Sequence, residues 1–440
     1  MFGNFVSKIN SFLWGYLLVV LILCIGVYLT YKIRFLQFKI IKIIKEIFFA
    51  RTSNSAKGDI SAFSALNVAL SGTVGVGNIA GVATAIALGG PGAVFWMWIS
   101  GIVGMATKFA EVYLGVKFRV RQDGGPFIGG PMMYIKNGLP QKFHFLAYIY
   151  ALFGAAAAFG IGNMAQANSV AFGVAQFGVP RYITGLLLIF AVGLVTLGGL
   201  KRIAKVANFC VPFMCGLYVF CGLIVILSNI KGLSQAIMLI FTKAFTPQAA
   251  VGGFIGSSVL NTIRYGVARG VFSNEAGLGS ASVAHSTAIT DSPYRQGLLG
   301  MVEVFVDTLV VCTVTALTII TTQSWFSGKS GSELTMTAFS KTFGETLGFS
   351  IVVVTMILTA YTTNLSWGFY GETFSAFLFG NKIRVFYRIL WLPFVLVGAL
   401  GKLEVIWNVC DMLNGFMAIP NLVALILLSS MILKTNNRNF

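Results

Sequence analysis

Runs of about twenty apolar residues recur along the chain, broken by short basic or glycine-rich connections, and such runs leave few folds open. About 20 consecutive apolar residues cross a bilayer core as a helix, because a helix satisfies its own N–H and C=O groups where water is absent. Composition points the same way. Of 440 residues, 57% are hydrophobic and 10% are charged, against roughly 25% charged in a typical soluble domain. That little charge cannot cover a water-soluble surface of this size. The apolar stretches are continuous rather than ~10-residue alternations, which argues against a β-barrel. Disorder, collagen and coiled coil fail on the same composition. The expected class is an all-α polytopic membrane protein.

Eleven spans are expected, at about 12–33, 60–88, 91–118, 144–177, 181–199, 203–228, 249–290, 295–321, 346–374, 383–401 and 405–433; they are numbered 1 to 11 here. Lys39, Lys42 and Lys45 alternate with Ile40, Ile41, Ile43, Ile44 and Ile47, a pattern for a helix lying on the membrane surface. A second amphipathic piece falls at 232–245. The apolar stretch Phe12 to Tyr31 is too long for a signal h-region and lacks a small-residue cleavage pattern, so span 1 reads as retained. The net charge of +18 is a matter of topology. If the loop after span 1 is cytoplasmic, 21 Lys and Arg fall on that side and 7 on the other. This bias puts the N-terminus outside and the C-terminus inside, and it removes the case for nucleic-acid binding.

The six cysteines lie in apolar segments without a CxxC pair and read as small buried hydrophobes. With only His144 and His285, neither a histidine metal centre nor a polytopic membrane enzyme is expected. No resident cofactor is expected either. An ion channel would need a filter repeated about a symmetry axis and no substrate-sized polar site.

Two segments match each other. Residues 78–85 (NIAGVATA) and 274–281 (NEAGLGSA) both fit N-x-A-G-[VL]-[AG]-[TS]-A, 196 residues apart. One copy lies in span 2 and the other in span 7, an odd number of crossings apart. The copies therefore traverse the membrane in opposite senses, which implies a 5+5 inverted repeat of spans 2–6 and 7–11 with span 1 extra. The domain division expected is 1–58, 59–230 and 231–440. Both copies also sit beside sequence that resists helix. Gly72, Gly75 and Gly77 cluster in span 2, and Gly270, Gly277 and Gly279 in span 7, each costing about 1 kcal/mol relative to Ala in a helix. Irregular backbone at membrane depth survives only where it lines a protein cavity. Paired Gly-interrupted spans in matching halves point to a transporter's binding site. Spans 2 and 7 are thus expected to unwind at mid-membrane.

The runs SGTVGVGNIAGVATAIALGGPGA (71–93) and RGVFSNEAGLGSASVAHSTA (269–288), with TKFAEVYLGVKFR (107–119) and GGPMMYI (129–135), resemble the signature segments of the alanine or glycine:cation symporter family. That family is similar in architecture to the leucine-transporter fold, with span 2 in the place of its first core helix. The resemblance implies cation-coupled uptake of alanine or glycine, with Na+ as the coupling ion and H+ as the alternative.

A zwitterion at a dry midplane needs a partner for each charge. Its carboxylate is expected on backbone N–H groups at Gly75, Val76 and Gly77. Its ammonium is expected on carbonyls of the span 7 break around Phe272 and Ser273, with Asn274 and Gly277 beside them. Asn78, Gln166 and Thr363 are polar residues in apolar spans and complete the set with Thr73. The resemblance implies Phe172 and Trp367 as pocket walls. By the same analogy, one Na+ lies between Ser71 and Val74 of span 2 and Thr359, Thr362 and Thr363 of span 9, with a second locus near Thr73 and Asn78. Neutral oxygens suit this hard ion. Lys108, Glu111, Arg264, Arg269, Glu275, Glu303, Asp307, Glu372 and Asp411 are ionisable residues within spans. Such residues face the bundle interior in pairs. The spacing predicts a local Lys108–Glu111 pair, and Arg269 with Glu275 flanking the span 7 break.

Overall fold

The computed structural model describes residues 2–49, 56–122, 125–248 and 256–432. Nearly all regular structure is helical. The strands are two-residue pairs: Ile60–Ser61 runs parallel to Ala288–Ile289, and Val120–Arg121 antiparallel to Phe127–Ile128. Among the described residues, eight helices are long and apolar enough to cross a bilayer, and nine if the bent pair Ala62–Thr73 and Gly77–Gly89 is one span. Two expected spans fall outside that number for different reasons. Span 5 is the 16-residue helix Arg181–Thr196. Span 7 is divided into Val259–Asn274 and Ala281–His285. Residues 249–255, at its expected start, lie outside the described residues, as do Arg51, Lys434 and Arg438 of the charge comparison.

Span 1 starts earlier than its apolar run. It is helical from Phe2 to Lys32. The added turns lie against Leu403–Leu428 of span 11 and bury Val6 and Asn10, an amphipathic extension that a search for unbroken apolarity passes over. The basic segment is the helix Ile40–Phe49. It buries Ile40 and Ile43 while Ile41 is exposed, as a surface-lying helix requires.

Burial sorts the long helices into an inner and an outer set. Ala93–Lys117 (span 3) has 72% of its most apolar window inside the protein, whereas Gly199–Ser228 (span 6) has 39% and Ile383–Leu400 (span 10) 33%. On span 6 the exposed Phe209, Phe213, Phe220 and Leu227 repeat at helical spacing and form one apolar stripe. With no charge on that stripe, lipid is the solvent that suits it.

At one end of the bundle, Arg119 donates to the carbonyls of Lys57 (2.7 Å), Ser286 (2.8 Å), Ala288 (2.6 Å) and Thr290 (2.9 Å). The guanidinium carries its donors in a rigid fork and here ties the entry of span 2 to the exit of span 7.

Candidate functional site

Span 2 breaks after Thr73. Val74 leaves helical geometry at ψ 88°, helix resumes at Gly77, and the two parts are bent by 47°. The freed donors find side chains. The Gly75 N–H bonds Asn78 Oδ1 at 3.0 Å, and the Val76 N–H bonds Gln166 Oε1 at 3.2 Å. Gly75 is required by proximity, since a Cβ there would stand 2.8 Å from Thr363 Oγ1 and 3.1 Å from Gln166 Oε1.

Span 7 breaks two residues later than expected. Phe272, Ser273 and Asn274 are still helical, and the chain turns at Glu275, which is left-handed at φ 56°. Gly277 follows at φ 98°, a conformation that L side chains rarely adopt. Phe272 and Ser273 are therefore the last helical turn, and it is the helix C-terminus, not an extended stretch, that presents their carbonyls. The turn is held by side chains. Asn274 Oδ1 accepts from the Ala276 N–H (2.9 Å), and Glu111 Oε1 from the Gly277 N–H (2.9 Å). Asn421 Nδ2 donates to the Gly277 carbonyl (2.9 Å) and Tyr150 to that of Leu278 (2.9 Å).

The two breaks meet at Asp307, on a π-helical turn of span 8, Phe305–Cys312. Its carboxylate accepts from Asn78 Nδ2 (2.7 Å), Ser273 Oγ (3.0 Å) and Thr308 Oγ1 (2.8 Å). The carboxylate is fully buried, and these three hydrogen-bond partners are all neutral. Thr363 Oγ1 is buried and has no hydrogen-bond partner, so one polar group beside the span 2 break is left unused. A cavity of about 10 Å³ lies against Val74, Gly75, Asn78 and Thr359, with Met214 and Tyr218 of span 6 on its far side, at the lower limit for one water. A larger guest enters only when the surrounding helices part.

The other sequence candidates are placed less centrally. Thr73 donates to its own helix at Ala69 and Leu70, Thr359 at Met356, and Thr362 at Leu358 and Thr359, the usual habit of hydroxyls in membrane helices. Ser71 donates to the Val68 carbonyl (2.9 Å) and shares a 2.5 Å bond with Ser366. Trp367 gives its indole N–H to Glu275 Oε1 (2.7 Å). Phe172 lies under Arg181 (5.6 Å) and lines a vestibule of about 780 Å³. At the vestibule floor Phe272 stacks on Trp407 with ring centres 4.7 Å apart, and Arg269 lies 5.2 Å from both rings. Beneath, Phe272 approaches Gly77, 3.2 Å from a Cβ there.

The expected ion pairs are redrawn. Lys108 does not pair with Glu111. It reaches across to Glu303 (3.2 Å), which His285 also contacts (3.1 Å), because Glu111 is taken by the span 7 turn and by Asn421. Arg269 and Glu275, expected to flank the span 7 break, find separate partners: Arg269 pairs with Asp411 of span 11, and the Glu275 carboxylate is held by Trp367 and Ser280. Glu372 meets Arg384 and Arg388. Arg264 lines the vestibule over the Tyr265 ring. Sequence reasoning named Asp307 and Asp411 as ionisable but gave them no place at the site, and it missed Ser366 and Trp407. An Asp-Thr pair inside an apolar run was the signal available for Asp307.

A chain from Methanococcus maripaludis described as sodium/alanine symporter AgcS is 44% identical over 439 residues, covering 98% of this chain and 96% of that one. A Bacillus subtilis chain described as a probable sodium/glutamine symporter, GlnT, is 38% identical over 436 residues, covering 98% and 89%. Among solved structures, MhsT in complex with L-phenylalanine has a TM-score of 0.58 at 16% identity, covering 84% of this chain and 89% of that one. That identity supports a shared fold and nothing finer. The relatives and the family are transporters, not enzymes. A sequence model of the Sodium:alanine symporter family matches residues 1–439, and the chain belongs to that family.

Proposed function

We propose that the chain is a secondary active symporter, importing a small neutral amino acid, alanine or glycine, with Na+ across the cytoplasmic membrane by alternating access. The observation that carries this reading is the meeting of two interrupted helices at a buried polar patch with an unused hydroxyl, Thr363. The names of relatives support the substrate class and the ion.

The carboxylate of the amino acid takes the N–H groups of Gly75, Val76 and Gly77, displacing Asn78 Oδ1 and Gln166 Oε1 from the first two. The positive end of the Gly77–Gly89 dipole favours it there. The ammonium takes the C-terminal carbonyls of Val259–Asn274, where the dipole is negative. Thr363 hydrogen-bonds the substrate or the ion, and Gly277 keeps the turn close. Phe172 and Trp367 bound the route. One Na+ lies between Ser71, Val74, Thr359, Thr362 and Thr363. A second cation locus is Asp307 with Asn78, Ser273 and the nearby Thr73. The same carboxylate, buried among neutral partners, is what favours the alternative of H+ coupling. Each ligand stabilises the site the other needs, which is the coupling. A net-neutral substrate with one cation moves one charge inward, worth roughly 2.3 kcal/mol per 100 mV.

In this reading spans 2–6 and 7–11 (within 59–230 and 231–440) are inverted repeats, 1–58 is an addition, and the N-terminus is outside. The test is uptake of labelled alanine into proteoliposomes with Na+ and H+ gradients imposed separately. Uptake driven by Na+ alone supports the proposal, uptake driven by H+ alone replaces the ion, and no concentrative uptake under either ends it.

A further inference from the structure

Both interrupted helices, and every residue proposed as a ligand, belong to spans 2 to 11, but span 1 reaches the cover of the site. Its helix is α to Phe12, widens to π over Leu13–Leu17, and is α again from Leu18. Single π turns are rare and are frequent at functional sites. This one carries Trp14, which is 5% exposed and whose indole N–H donates to the Asp411 carbonyl at 2.8 Å. One turn earlier, Asn10 Nδ2 donates to the Asn408 carbonyl at 2.7 Å. Leu13 and Leu18 close on Gly415, 2.9 and 3.1 Å from where its Cβ would be. Span 11 is therefore held from outside over the two turns that carry Trp407 and Asp411. Those side chains meet Phe272 and Arg269 and separate the 780 Å³ vestibule from Gly77.

We infer that Asn10 and Trp14 are positioning residues for substrate entry: span 1 holds the segment 407–411 of span 11 in the place where it closes over Phe272. The inference rests on the transport reading for what enters, but not for the closure itself. Opening of the cover requires the 407–411 segment to move, and two bonds from a neighbouring helix oppose that motion.

The test uses a native thiol. Cys312 lies under the cover, fully buried beside Asn78 and Ser273, and a membrane-impermeant thiol reagent added on the vestibule side reaches it when the cover opens. Peptide mass spectrometry reads its labelling apart from the other five cysteines. Trp14→Phe and Asn10→Leu each remove one donor and keep most of the side-chain volume. Each is expected to speed Cys312 labelling about fivefold, the fold-change of one lost hydrogen bond. The KM for alanine is expected to rise by a similar factor, with the maximal rate within twofold. Tyr16→Phe alters the same π turn at a residue that is 66% exposed, touches neither bond, and is expected to leave labelling unchanged. Wild-type labelling in both donor variants overturns the inference, as does equal acceleration by Tyr16→Phe. Faster labelling in a protein that transports no alanine keeps the inference and removes the substrate reading instead.

Discussion

The two breaks share a sequence motif and differ in almost everything else. In span 2 the motif begins after the gap. Asn78 lies at the start of the second helical piece, and its side chain reaches back to the Gly75 N–H. In span 7 the motif straddles the gap. Asn274 is the last helical residue, and its side chain reaches forward to the Ala276 N–H. The same residue type thus satisfies the broken end of one helix from its far side and of the other from its near side. The first break is a 47° bend spanned by three residues with neutral partners, Asn78 and Gln166. The second is a left-handed turn through Glu275 and Gly277 braced by a carboxylate, Glu111. Matching letters therefore mark matching needs, backbone groups that must be satisfied away from water, and not matching geometry. The softer break has the unused hydroxyl beside it; the stiffer one is locked into spans 3 and 11 through Glu111 and Asn421.

Four substitutions would break or sharpen that contrast. Asn78→Ala has the largest expected effect. It leaves the Gly75 N–H without an acceptor and strips a donor from Asp307, at about 1–3 kcal/mol per orphaned group. Initial-rate uptake of labelled alanine should fall a hundredfold or more, and near-normal uptake would mean that the span 2 break does not depend on Asn78. Gly277→Ala should come next. Its φ of 98° costs a non-glycine residue about 1–3 kcal/mol, read as a drop of several degrees in the melting midpoint of detergent-solubilised protein. Thr363→Val is the discriminating change. Because Oγ1 has no protein partner, thermal stability without ligand should hold or rise slightly, while apparent affinity for alanine or Na+ falls about tenfold, the scale of a hydrogen bond to a charged group. A stability loss without an affinity change would make that hydroxyl structural. Glu111→Gln should be mildest. The amide oxygen still accepts from Gly277, so only the charge assistance is lost, and turnover should drop a few-fold with KM little moved.

The fold and the position of the breaks were largely legible in the sequence, because both follow from local arithmetic: lengths of apolar runs, and glycines clustered where a helix would otherwise continue. The limits were equally local. Span 7 failed by two residues because the break is set by Glu275 and Gly277 turning left-handed, and the run of small residues around them does not say which one turns. The pairs Lys108–Glu303 and Arg269–Asp411 join residues 195 and 142 positions apart. Helical spacing suggests only partners three or four residues away, so Lys108 was assigned to Glu111. Trp14 was invisible for a similar reason, since its role depends on a π turn and on a carbonyl nearly 400 residues later. Among the threonines of span 9, sequence alone could not tell Thr363 from Thr359 and Thr362, because all three are equally able to bond their own helix, and only the packing of span 9 on span 2 brings Thr363 against Gly75.

In the proposed transport reading each face must open in turn, and the two ends of this bundle are fastened differently. On the vestibule side stand the Arg269–Asp411 pair, the more exposed Lys329–Glu333 pair and a pair of stacked rings. On the other, a single guanidinium, Arg119, grips four backbone oxygens from two distant stretches of chain. The vestibule closure joins side chain to side chain, whereas the Arg119 clasp joins a side chain to the backbone of both stretches, so that end can part only if the main chain itself moves. A lysine in its place, a compact point charge without the guanidinium fork, would hold fewer of those four oxygens at once.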